Sequence, residues 1–77
     1  MEIHVRFYGV LREKMEAGEH GRAVLDLPAG TTVADILTRF NIDGHVHVSV
    51  NEEMAEDRQT TLNDGDLVDV LPPSAGG

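Results

Sequence analysis

Residues 62–77 read LNDGDLVDVLPPSAGG, and this stretch decides the predicted fold. Asn63-Asp64-Gly65 is a turn sequence whose glycine can adopt a positive φ. Residues 67–71 then form a strand that is apolar on nearly both faces, which favours a place near the centre of a sheet. Two prolines follow and cannot donate backbone hydrogen bonds, so the sheet should end there. We therefore predict a domain over residues 1–71 and a flexible C-terminal tail over residues 72–77.

Two strands are predicted near the N-terminus, because apolar and polar residues alternate there with a period of two. The inward-facing residues are Ile3, Val5 and Phe7 in the first strand, and Ala23, Leu25 and Leu27 in the second. Residues 10–15 between them contain good helix formers but are soon followed by Gly18 and Gly21. We expect a short helix or a structured loop at that point.

The main helix is predicted over residues 33–40. Val33, Ile36, Leu37 and Phe40 recur at helical spacing, and Ile36, Leu37 and Phe40 should be buried. Thr32 stands at the N-cap position, with Asp35 three residues later in the spacing of a capping box.

The remaining strands follow the helix. Val46, Val48 and Val50 alternate with polar residues, and residues 54–55 can form a short edge strand. Asn51-Glu52 suits a two-residue type I′ turn less well than Asn-Gly would, so a longer turn or another type is expected. The order of elements predicts an α+β fold, in which a mixed sheet of four or five strands wraps round one main helix.

Composition excludes several classes of function. Six basic and fourteen acidic residues give a formal charge of −8, which disfavours nucleic acid and anionic membranes as partners and favours a basic protein surface. The absence of cysteine excludes disulfides, thiolate nucleophiles and iron–sulfur ligation. His45 and His47 share a strand face, but two imidazoles without a third ligand make a poor metal site, so no metal is predicted. No secretory or membrane-spanning segment is found, so we expect a cytoplasmic protein.

The chemistry is expected at the end of the tail. Ser74, Ala75, Gly76 and Gly77 are all small enough to enter a narrow channel. An α-carboxylate is ionised at neutral pH and is a poor electrophile, so it must be activated before it reacts. Transfer of AMP from ATP would create a good leaving group, which a sulfur nucleophile could replace. Two terminal glycines alone would more simply be a frayed end, and the rest of the sequence argues against that reading.

The sequence resembles the MoaD/ThiS family of ubiquitin-like sulfur carriers. The resemblance rests on residues 48–53, residues 62–68 and the Pro-Pro-x-x-Gly-Gly ending at residues 72–77. Residues 27–37 are similar to the family's helix entry, and residues 5–13, which include Leu-Arg-Glu, look like the opening of molybdopterin synthase small subunits. The resemblance thus covers nearly the whole chain.

The resemblance implies a ubiquitin-like β-grasp fold and a carrier role rather than an enzyme. Gly77 would be the site of adenylation and of the thiocarboxylate, with Gly76 beside it. No cofactor would be bound, because ATP is used by a ubiquitin-activating-type adenylating enzyme. The large subunit of molybdopterin synthase would hold the catalytic groups, and the free carrier is expected to be a monomer.

Three alternatives stay open at this point. The carrier could supply sulfur for thiamine, for a tungsten cofactor or for tRNA thiolation, since a tail does not name its acceptor. A ubiquitin-like modifier could instead form isopeptide bonds through Gly77. The third alternative is a noncatalytic interaction module with an incidental Gly-Gly ending.

Overall fold

Five strands, one α-helix and one 3₁₀ helix make up the described part of the chain. The computed structural model describes residues 1–15, 20–42 and 44–73. The elements are β1 (Glu2–Phe7), a 3₁₀ helix (Gly9–Lys14), β2 (Arg22–Asp26), α1 (Val33–Arg39), β3 (His47–Val50), β4 (Glu53–Met54) and β5 (Leu67–Leu71). The predicted short helix near the N-terminus is therefore a 3₁₀ helix, and it buries Leu11.

The sheet has the strand order β2-β1-β5-β3-β4. β1 and β5 are parallel, whereas the β1–β2, β3–β5 and β3–β4 pairs are antiparallel. The prediction of an α+β fold with a mixed sheet and one main helix is confirmed, and the first and last strands are neighbours inside the sheet. β4 is the short edge strand, one residue earlier than expected.

One face of the sheet packs against α1. Strand residues that alternate inward form this core together with Val33, Ile36 and Leu37 of the helix; they are Ile3, Val5, Phe7, Val48, Val68 and Val70. Ile3, Val33, Val68 and Val70 are fully buried. Burial of this apolar surface is the main source of stability for so small a domain.

The helix begins and ends close to the predicted residues. Thr32 and Asp35 form the predicted capping box, with the Asp35 N–H donating to Thr32 Oγ1 and the Thr32 N–H donating to Asp35 Oδ2 at 2.9 Å. The helix stops at Arg39, one residue early, and Asn41 follows with a φ of 57°. Within the described residues, no helix has the length and apolarity that crossing a membrane requires.

Phe40 is only partly buried, which corrects the prediction that it belongs to the core. It occupies the C-cap position, where the backbone has left the helix and the side chain lies at the rim of the core. Its ring still meets Phe7 edge to face, with the centroids 4.8 Å apart. Helical spacing cannot show that the last apolar residue of a pattern falls beyond the helix.

The β3–β4 turn differs from the expectation. Val50 pairs with Glu53, so the turn has only two central residues, and Asn51 and Glu52 have φ values of 52° and 71°. Positive φ at both positions is the signature of a type I′ turn. Asn51 Nδ2 donates to Asp66 Oδ1 at 2.8 Å, and its Oδ1 accepts from the Leu67 N–H. These bonds hold the turn in place although Glu52 is poorly suited to it.

Replacing Glu52 by glycine should stabilise the protein. A residue with a Cβ loses roughly 1–2 kcal/mol of stability when its backbone is left-handed. Glycine avoids this cost, but its greater conformational entropy in the unfolded chain offsets about half of the stability gained. We expect Glu52→Gly to raise the free energy of unfolding in urea by up to about 1 kcal/mol. The matched control Glu53→Gly lies in β4 and should lose stability instead. A lower free energy of unfolding for Glu52→Gly than for the wild type would show that the turn is not strained.

Candidate functional site

The two predicted site residues, Gly76 and Gly77, lie outside the described residues. The predicted flexibility of the tail also concerns residues 74–77, which the structure does not describe. The structure does show how the chain leaves the sheet toward them. β5 ends at Leu71, and the half-buried Pro72 lies beside Gly9, where an added Cβ would come within 3.1 Å of Pro72 Cγ. The Tyr8 N–H donates to the Val70 carbonyl at 3.1 Å. The base of the tail is thus fixed against the end of β1.

The sheet face opposite the core carries a mixed set of side chains, which we call the open face. It consists of residues that alternate outward from the strands, with Arg6 and Asp69 directly paired in register at the centre. Large apolar side chains exposed around them are Tyr8, Val24, Met54 and Leu71. Exposed apolar side chains around a polar centre, beside the base of the tail, are suited to protein contact.

A bidentate ion pair fills the middle of the open face. Arg6 Nε donates to Asp69 Oδ1 at 2.6 Å, and Arg6 Nη2 donates to Asp69 Oδ2 at 2.9 Å. Asp69 is only 6% exposed, so its charge needs this partner. The hydrogen bonds from Arg6 to Asp69 raise the pKa of Arg6 further above its ordinary value, and the guanidinium stays charged. Arg6 also lies 5.9 Å from the centroid of the Tyr8 ring.

Sequence reasoning missed this pair, although a signal was present. Asp69 interrupts a strand that is otherwise apolar on nearly both faces, and Arg6 falls on the outward phase of β1. A charged residue in the middle of a central strand requires a partner of opposite charge. If the first and last strands are assumed to pair in parallel, Arg6 can be placed beside Asp69.

Asp64 and Asp66 both hold the turn before β5. Asp64 Oδ1 accepts from the Glu2 N–H at 2.7 Å. Asp66 is buried and accepts from the Asn63 N–H and from Asn51 Nδ2, both at 2.8 Å. Their oxygens are therefore used in fixing backbone, which supports a structural rather than an acid–base role.

The histidine pair does not extend into a larger ligand set in the part of the chain that the structure describes. His45 and His47 are both exposed. Across residues 1–15, 20–42 and 44–73, no group of three or more His, Cys, Asp or Glu side chains is arranged to hold a metal ion.

The Arg6–Asp69 pair should behave as a coupled unit. Asp69→Ala leaves a guanidinium without its partner and should lower the free energy of unfolding. Arg6→Leu/Asp69→Leu removes both charges and restores side-chain volume, so it should lose less stability than the single variant. Urea denaturation of the three proteins tests this order. Equal losses for the single and double variants would mean that the two charges do not depend on each other.

Comparisons with known proteins agree with this fold. The solution structure of the Haloferax volcanii HVO 2177 protein is similar with a TM-score of 0.79 and 28% identity, covering 100% of this chain and 87% of that chain. A complex of subunits 1 and 2 of molybdopterin-converting factor from Helicobacter pylori contains a chain with a TM-score of 0.68 and 25% identity, covering 100% of both chains. The crystal structure of SAMP1 from Haloferax volcanii is similar with a TM-score of 0.76 and 22% identity, covering 100% of this chain and 100% of that chain. This is a likeness of fold alone. No curated protein sequence gives a significant match.

The family comparison covers nearly the whole chain. The model of the ThiS family matches residues 5–77. This match confirms the resemblance inferred from the sequence, and the similar structures confirm the ubiquitin-like β-grasp fold. Members of this family are small carrier proteins that are generally not catalytic. The mixed sheet, the crossing helix and the family match together show that the chain belongs to the ThiS family.

Proposed function

We propose that this protein is a sulfur carrier in molybdopterin biosynthesis, acting as the small subunit of molybdopterin synthase. Gly77 is adenylated and converted to a thiocarboxylate, and Gly76 lies beside it in the narrow channel that receives the tail. The observation that carries the proposal is the exit of the chain from the central strand β5 at Pro72, only five residues ahead of Gly77. A strand fixed in the middle of the sheet is a firm base for a short tail.

The proposed chemistry takes place at the α-carboxyl of Gly77. That group is an anion at neutral pH, so an adenylating enzyme transfers AMP from ATP to it and releases pyrophosphate. Hydrosulfide delivered by the sulfur donor then attacks the carbonyl carbon and the bond to AMP breaks, so AMP leaves and the thiocarboxylate forms with no change of oxidation state. This chain supplies the carboxyl group and holds no cofactor. The activating enzyme supplies the ATP site.

The protein is a co-substrate in this scheme, and the catalytic groups belong to its partners. The buried carboxylates of Asp66 and Asp69 are held by hydrogen bonds within the domain. The four residues after Pro73 can span at most about 14 Å, which is enough for Gly77 to enter an active site of a protein seated against the domain. The Helicobacter pylori relative was solved in complex with subunit 2 of its molybdopterin-converting factor. We propose a corresponding large subunit as the acceptor here.

Two other assignments share the same activated tail. A ubiquitin-like modifier would pass the Gly77 acyl group to lysine amines, and the fold likeness to SAMP1 favours considering it. Sulfur delivery to thiamine, to a tungsten cofactor or to tRNA would differ only in the acceptor. These cases are distinguished by expressing the protein in cells that lack their own molybdopterin synthase small subunit. Our proposal requires that the protein restore molybdoenzyme activity in those cells.

Gly77 should be essential for activation and dispensable for folding. We expect both deletion of Gly77 and addition of one alanine after it to abolish ATP–pyrophosphate exchange with the cognate adenylating enzyme, since the reacting carboxyl is displaced. The control Ser74→Ala keeps the tail length and should retain exchange. Thermal unfolding of all variants should match that of the wild type. Exchange by the deletion variant equal to that of the wild type would contradict the proposal.

A further inference from the structure

A cationic pocket of about 300 Å³ lies at the end of β1, next to the base of the tail. Three arginines line it, Arg6, Arg12 and Arg22, together with the imidazole of His20. Half of the six basic residues of the chain therefore line one cavity, although the protein carries a formal charge of −8. Among the described residues, no aspartate or glutamate lines it. We call this cavity the arginine pocket.

Among the described residues, the arrangement of these positive charges is unfavourable. Arg22 lies directly opposite Arg6 in the antiparallel β1–β2 pair, and like charges in such cross-strand positions destabilise a sheet. Asp69 binds Arg6 from the β5 side. Arg22 and Arg12 add two further positive charges to the same cavity. An anion bound between them would relieve this repulsion.

Arg12 is positioned by a close approach to the backbone. A Cβ on Gly21 would lie 2.9 Å from Arg12 Cγ and 2.9 Å from the Phe7 carbonyl oxygen, so only glycine leaves room for this packing. Gly21 also has a φ of 79°, and its carbonyl accepts from the Phe7 N–H at 2.7 Å. The stem of Arg12 thus rests on a fixed strand end. A guanidinium seated in this way loses less conformational entropy when it binds.

The pocket and the tail share a boundary. Gly9 lines the pocket, and Pro72 lies against Gly9. A protein that takes up the residues after Pro73 would lie against the surface around Pro72, which borders the arginine pocket. The Arg6 and Arg22 side chains also border a groove that continues onto the open face along His4, Val24 and Leu67.

We propose that the arginine pocket receives an aspartate or glutamate side chain of the protein that binds the tail. This inference rests on the proposed function, because it identifies the occupant as part of the tail's receptor. Guanidinium groups pair with carboxylates through paired N–H donors, and partial burial by the docked protein would strengthen the pair. The net charge of the chain predicts a basic partner surface, whereas the pocket predicts one acidic side chain within it. Two contacts of opposite sign would fix the orientation of docking.

The test compares two double variants that remove the same charge. Arg12→Gln/Arg22→Gln neutralises the pocket, while Arg39→Gln/Arg58→Gln neutralises two arginines that do not line it. The dissociation constant for the cognate adenylating enzyme is measured with and without ATP, and thermal unfolding checks the fold. We expect the pocket variant to bind about tenfold more weakly and the control to change by less than about twofold, in both conditions. Arg22→Gln alone, at an exposed edge position, should show part of the loss if the double variant is unstable.

The outcomes separate this inference from the proposed function. If the wild type is adenylated but the pocket and control variants bind equally, the pocket is not a docking contact and only this inference is wrong. If the pocket matters only when ATP is present, its occupant is a phosphate group and the carboxylate assignment is wrong. If the wild type is not adenylated by its cognate enzyme, the proposed function fails and this inference fails with it.

Discussion

The parallel pairing of β1 with β5 is the constraint on which the rest of the structure depends. It joins the two ends of the sequence in register from His4–Leu67 to Phe7–Val70 and places both strands inside the sheet. Because the strands are parallel, their carboxyl ends lie at the same edge. The base of the tail, Gly9 and the arginine pocket are therefore neighbours although they are distant in sequence. A β5 of the opposite direction would place the base of the tail at the other edge, away from Gly9 and the arginine pocket.

The same two strands supply both faces of the sheet. Inward residues of β1 and β5 form the centre of the core under α1, and they tolerate no polar atom without a partner. Outward residues form the open face, where Arg6 and Asp69 satisfy each other across the pair. A central strand can carry Asp69 only because its neighbour in the sheet carries Arg6 at the matching position. The core and the open face are thus set by one register.

Charge is distributed unevenly on this acidic protein. Around the base of the tail, Asp69 balances the charge of Arg6, whereas Arg12 and Arg22 add two further positive charges. The whole chain has a formal charge of −8. In the proposed docking, the long-range field of the acidic chain would attract a basic partner surface and raise the association rate, and salt would screen this attraction. The proposed short-range pairing at the pocket would act after encounter and select the orientation of docking. The two effects therefore serve different steps of docking.

Local patterns predicted most elements, and long-range contacts account for the rest. The capping box, the helix predicted over residues 33–40 and the strand predicted over residues 67–71 follow from spacing that any short window contains, and the helix ends one residue earlier, at Arg39. Glu52 adopts a positive φ because Asn51 is bound to Asp66 and Leu67, contacts that the turn sequence does not reveal. The family motif predicted the chemistry of Gly77 without any geometry. The arginine pocket depends on packing among separate segments, which periodicity does not describe.

The central claim is that the Gly77 carboxyl becomes a thiocarboxylate. Intact-protein mass spectrometry tests it most directly, after incubation with the cognate adenylating enzyme, ATP and a sulfur donor. Replacement of one oxygen of the α-carboxyl by sulfur should raise the mass by about 16 Da, and fragmentation should locate the gain at the last residue. Omission of ATP should prevent it. An unchanged terminal mass with the cognate enzyme, alongside normal cofactor synthesis in cells that hold only a variant lacking Gly77, would contradict the account.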